Sequence, residues 1–216
     1  LTFIESPDFP IDLVNEASAK EKKGGGRPDY WEMVFWWTRK PLASARAIIA
    51  GALLPYDFPR DKFIRMLNLH VILEKHAKIK TPHKLNPAIP KDVYEKYFKD
   101  KSLLDPFAGF GSIPIEALRL GLSKVVAVEL LPTAYVFLKA ILQYPLMVAR
   151  NDRWKKLVDD VKRYGEEIIK KLQSDPDIKE LYDSDVAVYI GTWEIKHEDH
   201  WTPVVGNWWL ARVKDK

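Results

Sequence analysis

The spacing of apolar residues in the first part of the chain predicts two helices followed by an irregular segment. Residues 42–54 are strongly apolar and lie between Pro41 and Pro55, so we expect a helix over that range. Apolar residues recur at helical spacing over residues 61–79 and predict a second helix. The proline-rich segment 81–92 predicts irregular structure.

From residue 102 the pattern alternates between short apolar runs and helical spacing. SLLDPF (102–107) and KVVAVE (124–129) predict short buried strands. SIPIEALRLG (112–121) predicts a helix that ends at Gly121, and residues 132–149 predict another. The order strand, helix, strand, helix is typical of a parallel α/β sheet, so the predicted fold class is α/β.

The last third of the chain changes character again. Residues 152–174 are rich in charge and predict a helix that ends near Asp175-Pro176. Residues 186–213 alternate apolar and polar positions and predict two or three strands that include a hairpin. We therefore divide the chain into an N-terminal segment with a basic loop and a helix (1–60), an α/β core (61–150), and a charged helix with a β-rich part (151–216).

Composition narrows the classes of function. The 216 residues are 47% apolar and 30% charged, which suits a chain that buries a core. The absence of cysteine excludes disulfides and thiolate chemistry within these residues. The formal charge of +4 is compatible with a polyanionic partner but too small to argue for one. We see neither a membrane-spanning stretch nor a secretion signal, and we expect a cytoplasmic protein without a membrane partner.

The segment 20–30, KEKKGGGRPDY, predicts a mobile basic loop because its three glycines raise chain entropy. Such a loop either binds phosphates or is simply solvated, and the second alternative is the more common one.

The stretch LLDPFAGFGS (103–112) places a Gly-Phe-Gly turn directly after a predicted strand. A phosphate loop would need Gly-Lys-Ser/Thr, and no lysine follows Gly111. A dinucleotide turn would need a third glycine where this chain has Pro114. Both of these nucleotide-binding motifs therefore fit poorly.

The chemistry of this turn suits a ligand that carries an amino acid group. Gly109 and Gly111 allow positive φ and close approach to bare backbone, and we expect Ser112 to cap the next helix. Free N–H groups at that helix start favour a carboxylate, while Asp105 can accept from an ammonium group. Glu129 lies 18 positions after Gly111, near the spacing at which an acidic residue binds ribose hydroxyls. The helix N–H groups, Asp105 and Glu129 thus match a carboxylate, an ammonium group and ribose hydroxyls, and together they predict S-adenosylmethionine. The alternative is that Asp105 and Glu129 only cap strand ends.

The sequence also resembles a known family. DPFAGFGSIPIEALRLG is similar to the S-adenosylmethionine turn of amino-group DNA methyltransferases, and AVELLPTAYVFLKAILQYP resembles its continuation. FPIDLVNEASAKEK, VFWWTRKPLASARAIIAGALLP and WTPVVGNWWLARV resemble the large adenine-specific DNA methylases that carry a zinc-ribbon insertion. The resemblance implies the N-terminal portion of such an enzyme, with a partial Rossmann-like methyltransferase sheet, N-terminal helices and a C-terminal β-hairpin. The implied cofactor-binding residues are Asp105, Pro106, Phe107, Ala108, Gly109, Gly111, Ser112, Glu129 and Leu130.

The chain departs from that family in its transfer chemistry. Amino-group methyltransferases orient the target amine with Asp/Asn/Ser-Pro-Pro-Tyr/Phe/Trp, and no such tetrapeptide occurs in this sequence. We therefore expect no catalytic residue within these positions, no methylation by this chain alone, and either truncation or a second chain that carries the catalytic half. DNA is the expected partner of the complete enzyme. The alternatives are an accessory or regulatory subunit with a relic turn, or part of an RNA methyltransferase.

The sequence leaves the roles of several other candidate residues open. His197 and His200 lie where the family has Cys-x-x-Cys and can supply half of a zinc site, but a polar hairpin tip without metal is the favoured interpretation. Arg39 and Lys40 suit a cofactor carboxylate or DNA phosphates. The tryptophans fall into two groups: Trp31, Trp36 and Trp37 are candidates for stacking on a base or adenosine, whereas Trp193, Trp201, Trp208 and Trp209 are expected to pack a small β subdomain.

Overall fold

The computed structural model describes residues 1–34, 36, 38–74, 78–149, 153–181, 186 and 191–204. The chain forms two compact units, Leu1–Lys155 and Lys156–Lys216. No helix within the described ranges is long and apolar enough to cross a membrane.

The N-terminal part of the chain is helical. Four helices precede the sheet: α1 (Ile11–Glu21), α2 (Leu42–Leu53), α3 (Arg60–Met66) and α4 (Lys91–Tyr97). Short 3-10 segments connect them at Phe3–Glu5, Gly24–Gly26, Asp29–Trp31, Leu69–Ile72 and Pro82–Lys84. Helices α1 and α4 were not predicted from the sequence.

Helix α2 confirms the prediction almost to the residue, because proline defines its start. Pro41 is the N-cap with a φ of −60°, and Leu54 is extended at the C-cap. The start of α2 is buried, so its free N–H groups need partners within the protein. Glu21 provides them from α1: its carboxylate oxygens accept from Leu42 N–H at 2.7 Å and Ala43 N–H at 2.8 Å.

The second predicted helix is shorter than expected. Helix α3 ends at Met66, and Asn68 adopts a left-handed conformation with a φ of +62°. That conformation breaks the helix while keeping Leu67 and Leu69 buried. The prediction of helix as far as residue 79 is therefore wrong, and residues 75–77 lie outside the described ranges.

The predicted loop at residues 20–30 contains more local structure than its glycine content suggested. Gly24–Gly26 forms a 3-10 turn, and Lys84 Nζ donates to the Gly25 carbonyl at 3.0 Å. A side chain on Gly26 would lie 2.1 Å from the Lys20 carbonyl oxygen, so that backbone approach requires glycine.

The α/β prediction is confirmed by a parallel two-stranded sheet. Strand β1 (Ser102–Asp105) pairs with β2 (Lys124–Ala127), with Leu103 opposite Val125 and Asp105 opposite Ala127. Helix α5 (Ser112–Arg119) connects the two strands. The fold is mixed α/β and is consistent with a partial Rossmann-like sheet.

The chain after β2 stays helical as predicted, with one irregularity. Helix α6 (Pro132–Leu138) continues into a π-helical segment, Lys139–Gln143, and then into α7 (Tyr144–Ala149). The predicted charged helix appears as α8 (Trp154–Ser174), and a short α9 (Pro176–Leu181) follows it.

The predicted hairpin is confirmed in the second unit. Strands β3 (Trp193–His197) and β4 (His200–Val204) pair in antiparallel fashion, with His197 opposite His200. The other positions of the predicted third strand, residues 187–190 and 205–213, lie outside the described ranges. Trp193 and Trp201 are exposed instead of packed, because the described hairpin has no second layer against which to bury them.

A single large core holds the first unit together. It joins side chains of α1, α2 and α3 to those of α4 and α5, and Leu103 and Val125 of the sheet pack against it. Phe3, Phe63, Leu67 and Phe98 are among its fully buried members. A smaller cluster of Phe110, Ala134 and Phe137 lies between the glycine turn and α6.

Candidate cofactor site

The glycine turn extends the pairing of the two strands beyond their regular ends. Val128 N–H donates to the Asp105 carbonyl at 2.9 Å, and Ala108 N–H donates to the Val128 carbonyl at 2.9 Å. The carboxyl ends of both strands and the turn therefore form one hydrogen-bonded unit. Ligands of α/β proteins bind at this edge of the sheet.

Both glycines of the turn adopt a conformation that L side chains rarely take. Gly109 has a φ of +51° and Gly111 has a φ of +78°. A side chain at Gly111 would also lie 2.8 Å from Leu138 Cδ2 and 2.9 Å from Ile141 Cδ1. Gly111 therefore allows α6 and the π-helical segment to pack closely against the turn.

The start of α5 differs from the prediction in its cap. Gly111 is the N-cap residue and Ser112 is the first helical residue, and no side chain caps the helix. The prediction that Ser112 caps α5 is therefore wrong, because the left-handed glycine takes that position. In the described part of the chain the N–H groups of Ser112 and Ile113 have no hydrogen-bond partner. These two N–H groups at the positive end of the helix are suited to a carboxylate.

Glu129 ties the turn to the start of α6. Its Oε2 accepts from Gly109 N–H at 2.8 Å, and its Oε1 accepts from Leu130 N–H at 2.8 Å and Leu131 N–H at 3.0 Å. The Leu131 N–H is the main cause that lowers the pKa of the Glu129 carboxyl, and the Gly109 and Leu130 N–H groups add to it. Glu129 is thus held as an anion beside the glycine turn. A carboxylate oxygen has two lone pairs, so Glu129 Oε2 keeps the capacity to accept from a hydroxyl.

Asp105 is fixed at the end of β1. Its side chain is buried, and its Oδ1 accepts from Phe107 N–H at 3.1 Å. No described residue hydrogen-bonds to Oδ2. One carboxylate oxygen thus orients the side chain, and the other is available to a cationic group.

The rim of the turn is apolar and exposed. Phe107 is 89% exposed and Leu130 is 92% exposed, and Pro106 is also exposed. Ala108 is buried behind them. Exposed aromatic and aliphatic side chains around polar backbone groups are suited to a ligand with a flat ring.

An aromatic stack of Trp36, Phe110 and Phe137 supports the glycine turn. The Phe110 ring lies 4.1 Å from the Phe137 ring and 4.5 Å from the Trp36 ring, measured between centroids. The Trp36 indole nitrogen lies 3.3 Å from the position that a side chain on Gly109 would take. Phe110 was missed as a support residue, since its position between two glycines has no periodicity that would indicate burial. Phe137 was missed because only the fold brings α6 against the turn.

A buried charge network holds α5 in place. The Nε of Arg46 donates to Glu116 Oε2 at 2.6 Å, and Arg119 donates to Glu116 Oε1 at 2.7 Å. Arg46 is 1% exposed and Glu116 is fully buried. Burial lowers the pKa of the Arg46 guanidinium, and the Glu116 charge opposes that effect. This network was not predicted, because its partners Arg46 and Glu116 are far apart in the sequence.

The structure brings together the residues that the sequence proposes for the cofactor site. The assembled residues lie on the turn or directly after β2: Asp105, Pro106, Phe107, Ala108, Gly109, Gly111, Ser112, Glu129 and Leu130. Tyr30 adds an unpredicted side chain next to Ser112, and burial raises the pKa of its hydroxyl while Ser112 partly opposes that rise. Trp37, Trp208 and Trp209 lie outside the described ranges.

The histidine pair lies at the tip of the hairpin in the second unit. His197 and His200 are cross-strand neighbours, and the turn between them contains Glu198 with a φ of +53°. No group of three or more His, Asp or Glu side chains among the described residues is arranged to hold a metal ion.

A parallel strand–helix–strand unit, with a glycine turn after its first strand and an acid after its second, places the fold in the Rossmann-like class. Comparison with protein families agrees with this class. A model described as "Conserved hypothetical protein 95", a methyltransferase-like family, matches residues 62–175. The match covers more than half of the chain, and the chain belongs to this family.

A second family model matches the N-terminal part. It is described as a "Protein of unknown function (DUF1156)" and covers residues 8–70. No curated protein and no solved structure matches the chain.

Proposed function

We propose that this chain is the S-adenosylmethionine-binding part of a DNA adenine methyltransferase. The observation that carries the proposal is the bond from Gly109 N–H to Glu129, 2.8 Å long, which closes the glycine turn onto the acid after β2. Membership of a methyltransferase-like family supports the reaction class. The resemblance of DPFAGFGS to the turn of amino-group DNA methyltransferases supports the adenine amine of DNA as the target.

The residues of the turn and Glu129 fit three polar groups of the cofactor: its ammonium group, its carboxylate and its ribose hydroxyls. Asp105 offers a carboxylate oxygen to the ammonium group, and the N–H groups of Ser112 and Ile113 offer donors to the carboxylate. Glu129 is kept anionic by backbone donors and accepts from ribose hydroxyls. When bound, S-adenosylmethionine supplies an electrophilic methyl group.

Within this chain, the residues of the turn bind and orient, and none is assigned to the transfer step. The tetrapeptide that would hold the target amine does not occur in these residues. We propose that those residues come from another segment or another chain, and that DNA binds to the complete enzyme.

Calorimetric titration with S-adenosylmethionine tests the proposal. We expect saturable binding by the parent and an affinity about tenfold or more lower for Asp105→Asn, because the neutral amide cannot form an ion pair with an ammonium group. Asp100→Asn is the matched control, since Asp100 is exposed in the turn before β1. Absence of binding by a folded parent, or equal affinity in parent and Asp105→Asn, would overturn the proposal.

One observation favours a second function, that of a non-catalytic accessory subunit. Both oxygens of Glu129 accept backbone N–H groups of the protein itself, so the carboxylate also has a structural role. In an accessory subunit, Glu129→Gln would change the stability of the turn, and S-adenosylmethionine would not bind at all. An RNA methyltransferase would bind the cofactor in the same way and would differ in its acceptor.

A further inference from the structure

A cavity of about 490 Å³ lies beside the segment that supports the glycine turn. Three cationic side chains line it: Lys22 at the end of α1, Arg27, and Arg39. Trp31 and Trp36 form its aromatic walls. Glu32 is the one acidic side chain in this lining, so the described lining carries an excess of positive charge.

The cations are held at the cavity in different ways. Arg27 pairs with Glu32 at 3.2 Å, whereas Lys22 makes no ion pair within the described ranges. Arg39 donates to the Val34 carbonyl and lies over the Trp31 ring, 5.8 Å from its centroid. Stacking on Trp31 and the bond to Val34 restrict the guanidinium of Arg39, which lowers the entropic cost of binding a ligand there.

Trp36 connects this cavity to the candidate cofactor site. One side of its ring stacks near Phe110, and its indole nitrogen lies beside Gly109. The indole N–H makes no hydrogen bond to any described residue. A ligand in the cavity therefore contacts the same tryptophan that supports the glycine turn.

We propose that this cavity is an oxyanion-binding site. Three cationic side chains against a single carboxylate, together with two indole faces, suit a phosphate or carboxylate attached to a flat ring or chain. Two sources carry such a group: a phosphate of a nucleic-acid strand or, as an alternative to the Ser112 and Ile113 N–H groups, the carboxylate of the cofactor. The connection to either source rests on the proposed function, but oxyanion binding itself does not.

Indole ¹H–¹⁵N spectra of the folded chain test the site directly, with inorganic phosphate as the probe and sodium chloride at matched ionic strength as the reference. The Trp31 and Trp36 resonances are assigned from Trp31→Phe and Trp36→Phe. We expect saturable shifts of these two resonances with phosphate alone, and an affinity about fivefold lower in the double variant Lys22→Gln/Arg27→Gln. Lys91→Gln, at the exposed start of α4, is the matched control and should leave the affinity unchanged. Absence of saturable shifts, or equal affinity in the double variant, would overturn the proposal.

Two further titrations of the same variants identify the source of the oxyanion. If the site takes nucleic-acid phosphates, the affinity of the double variant for a single-stranded oligothymidylate will depend less on salt. The slope of log K against log salt concentration should become shallower by about 0.7 for each phosphate that the variant no longer neutralises. If it takes the cofactor carboxylate, the double variant weakens S-adenosylmethionine binding instead. A double variant that changes neither titration would overturn the site as a functional one. Failure of the parent to bind S-adenosylmethionine, with the phosphate shifts intact, would overturn only the proposed function.

Discussion

Leu103 and Leu104 are neighbours on β1, yet they lie in opposite environments. Leu103 packs against the main core together with Val125 of β2, whereas Leu104 is 65% exposed. Successive strand residues point to opposite faces, so Leu104 shares its face with Val126, which is also exposed. One face of the sheet is covered by α5 and the core, and the other is bare in the described part of the chain.

This difference shows which face supports the site. Parallel strands are usually buried on both faces, which explains why the apolar residues at the centres of β1 and β2 fall on both faces of the sheet. Asp105 lies two positions after Leu103 and therefore shares the covered face. The stability of the candidate site should depend on the covered face and little on the bare one.

The largest expected effect comes from Glu116, which lies on the helix that covers the sheet. Glu116→Gln should lower the free energy of unfolding by about 3 kcal/mol or more, because it leaves the buried guanidinium of Arg46 without its countercharge. Urea denaturation measures the change. Glu95→Gln is the control, since the exposed pair of Glu95 with Lys99 should contribute less than about 1 kcal/mol. Equal losses in the two variants would contradict a buried network.

The two leucines of β1 test the comparison itself. Leu103→Ala should cost about 2 kcal/mol, since it removes packing against the main core. Leu104→Ala should change the free energy of unfolding by less than about 0.5 kcal/mol. The same denaturation experiment measures both, and a similar cost for both would mean that the outer face is also covered.

Gly111 lies where α6 and the π-helical segment approach the turn. Gly111→Ala should cost about 1–2 kcal/mol, because it forces a side chain into a left-handed backbone and against Leu138 and Ile141. Gly165→Ala is the opposite case: Gly165 lies within α8 with open space around it, so alanine there should stabilise the helix by up to about 1 kcal/mol. Thermal unfolding compares the two, and a neutral Gly111→Ala would show that the turn relaxes.

The smallest effect concerns Glu129 at the edge of the sheet. The pKa of its carboxyl is lowered from 4.5 in the folded chain, so its contribution to stability is present above that pH and is lost as the pH falls through the folded value. Glu129→Gln should therefore lower the free energy of unfolding at about pH 7 and have a smaller effect at about pH 3.5. A difference between parent and variant that stays constant with pH would show that the charge has no role.

The elements that were predicted well are those with strong local signals. Pro41 and Pro55 define the limits of α2, and the apolar runs around Leu103 and Val125 define the two strands. The errors arise where tertiary contacts decide the conformation. Asn68 ends α3 in a left-handed conformation that apolar spacing does not indicate.

In the candidate site, too, local sequence signals predicted some residues, and tertiary contacts determine the others. The cofactor residues could be proposed because the glycine turn and the acids that follow the two strands form a local pattern in the sequence. The residues that hold the turn and α5 in place could not be proposed, since Glu116 contacts Arg46 and Phe110 contacts Trp36 only in the folded chain. Ser112 illustrates the limit, because a serine before a helix suggests a cap although Gly111 takes that place.

The most direct test of the central claim is a backbone amide ¹H–¹⁵N spectrum of this chain titrated with S-adenosylmethionine. If the turn is a working cofactor site, the largest shifts will fall on Gly109, Ser112, Ile113 and Leu130, and in Asp105→Asn the same shifts will require about tenfold more S-adenosylmethionine or more. Shifts at other residues only, or no shifts in a folded chain, would contradict the assignment of this turn as the cofactor site.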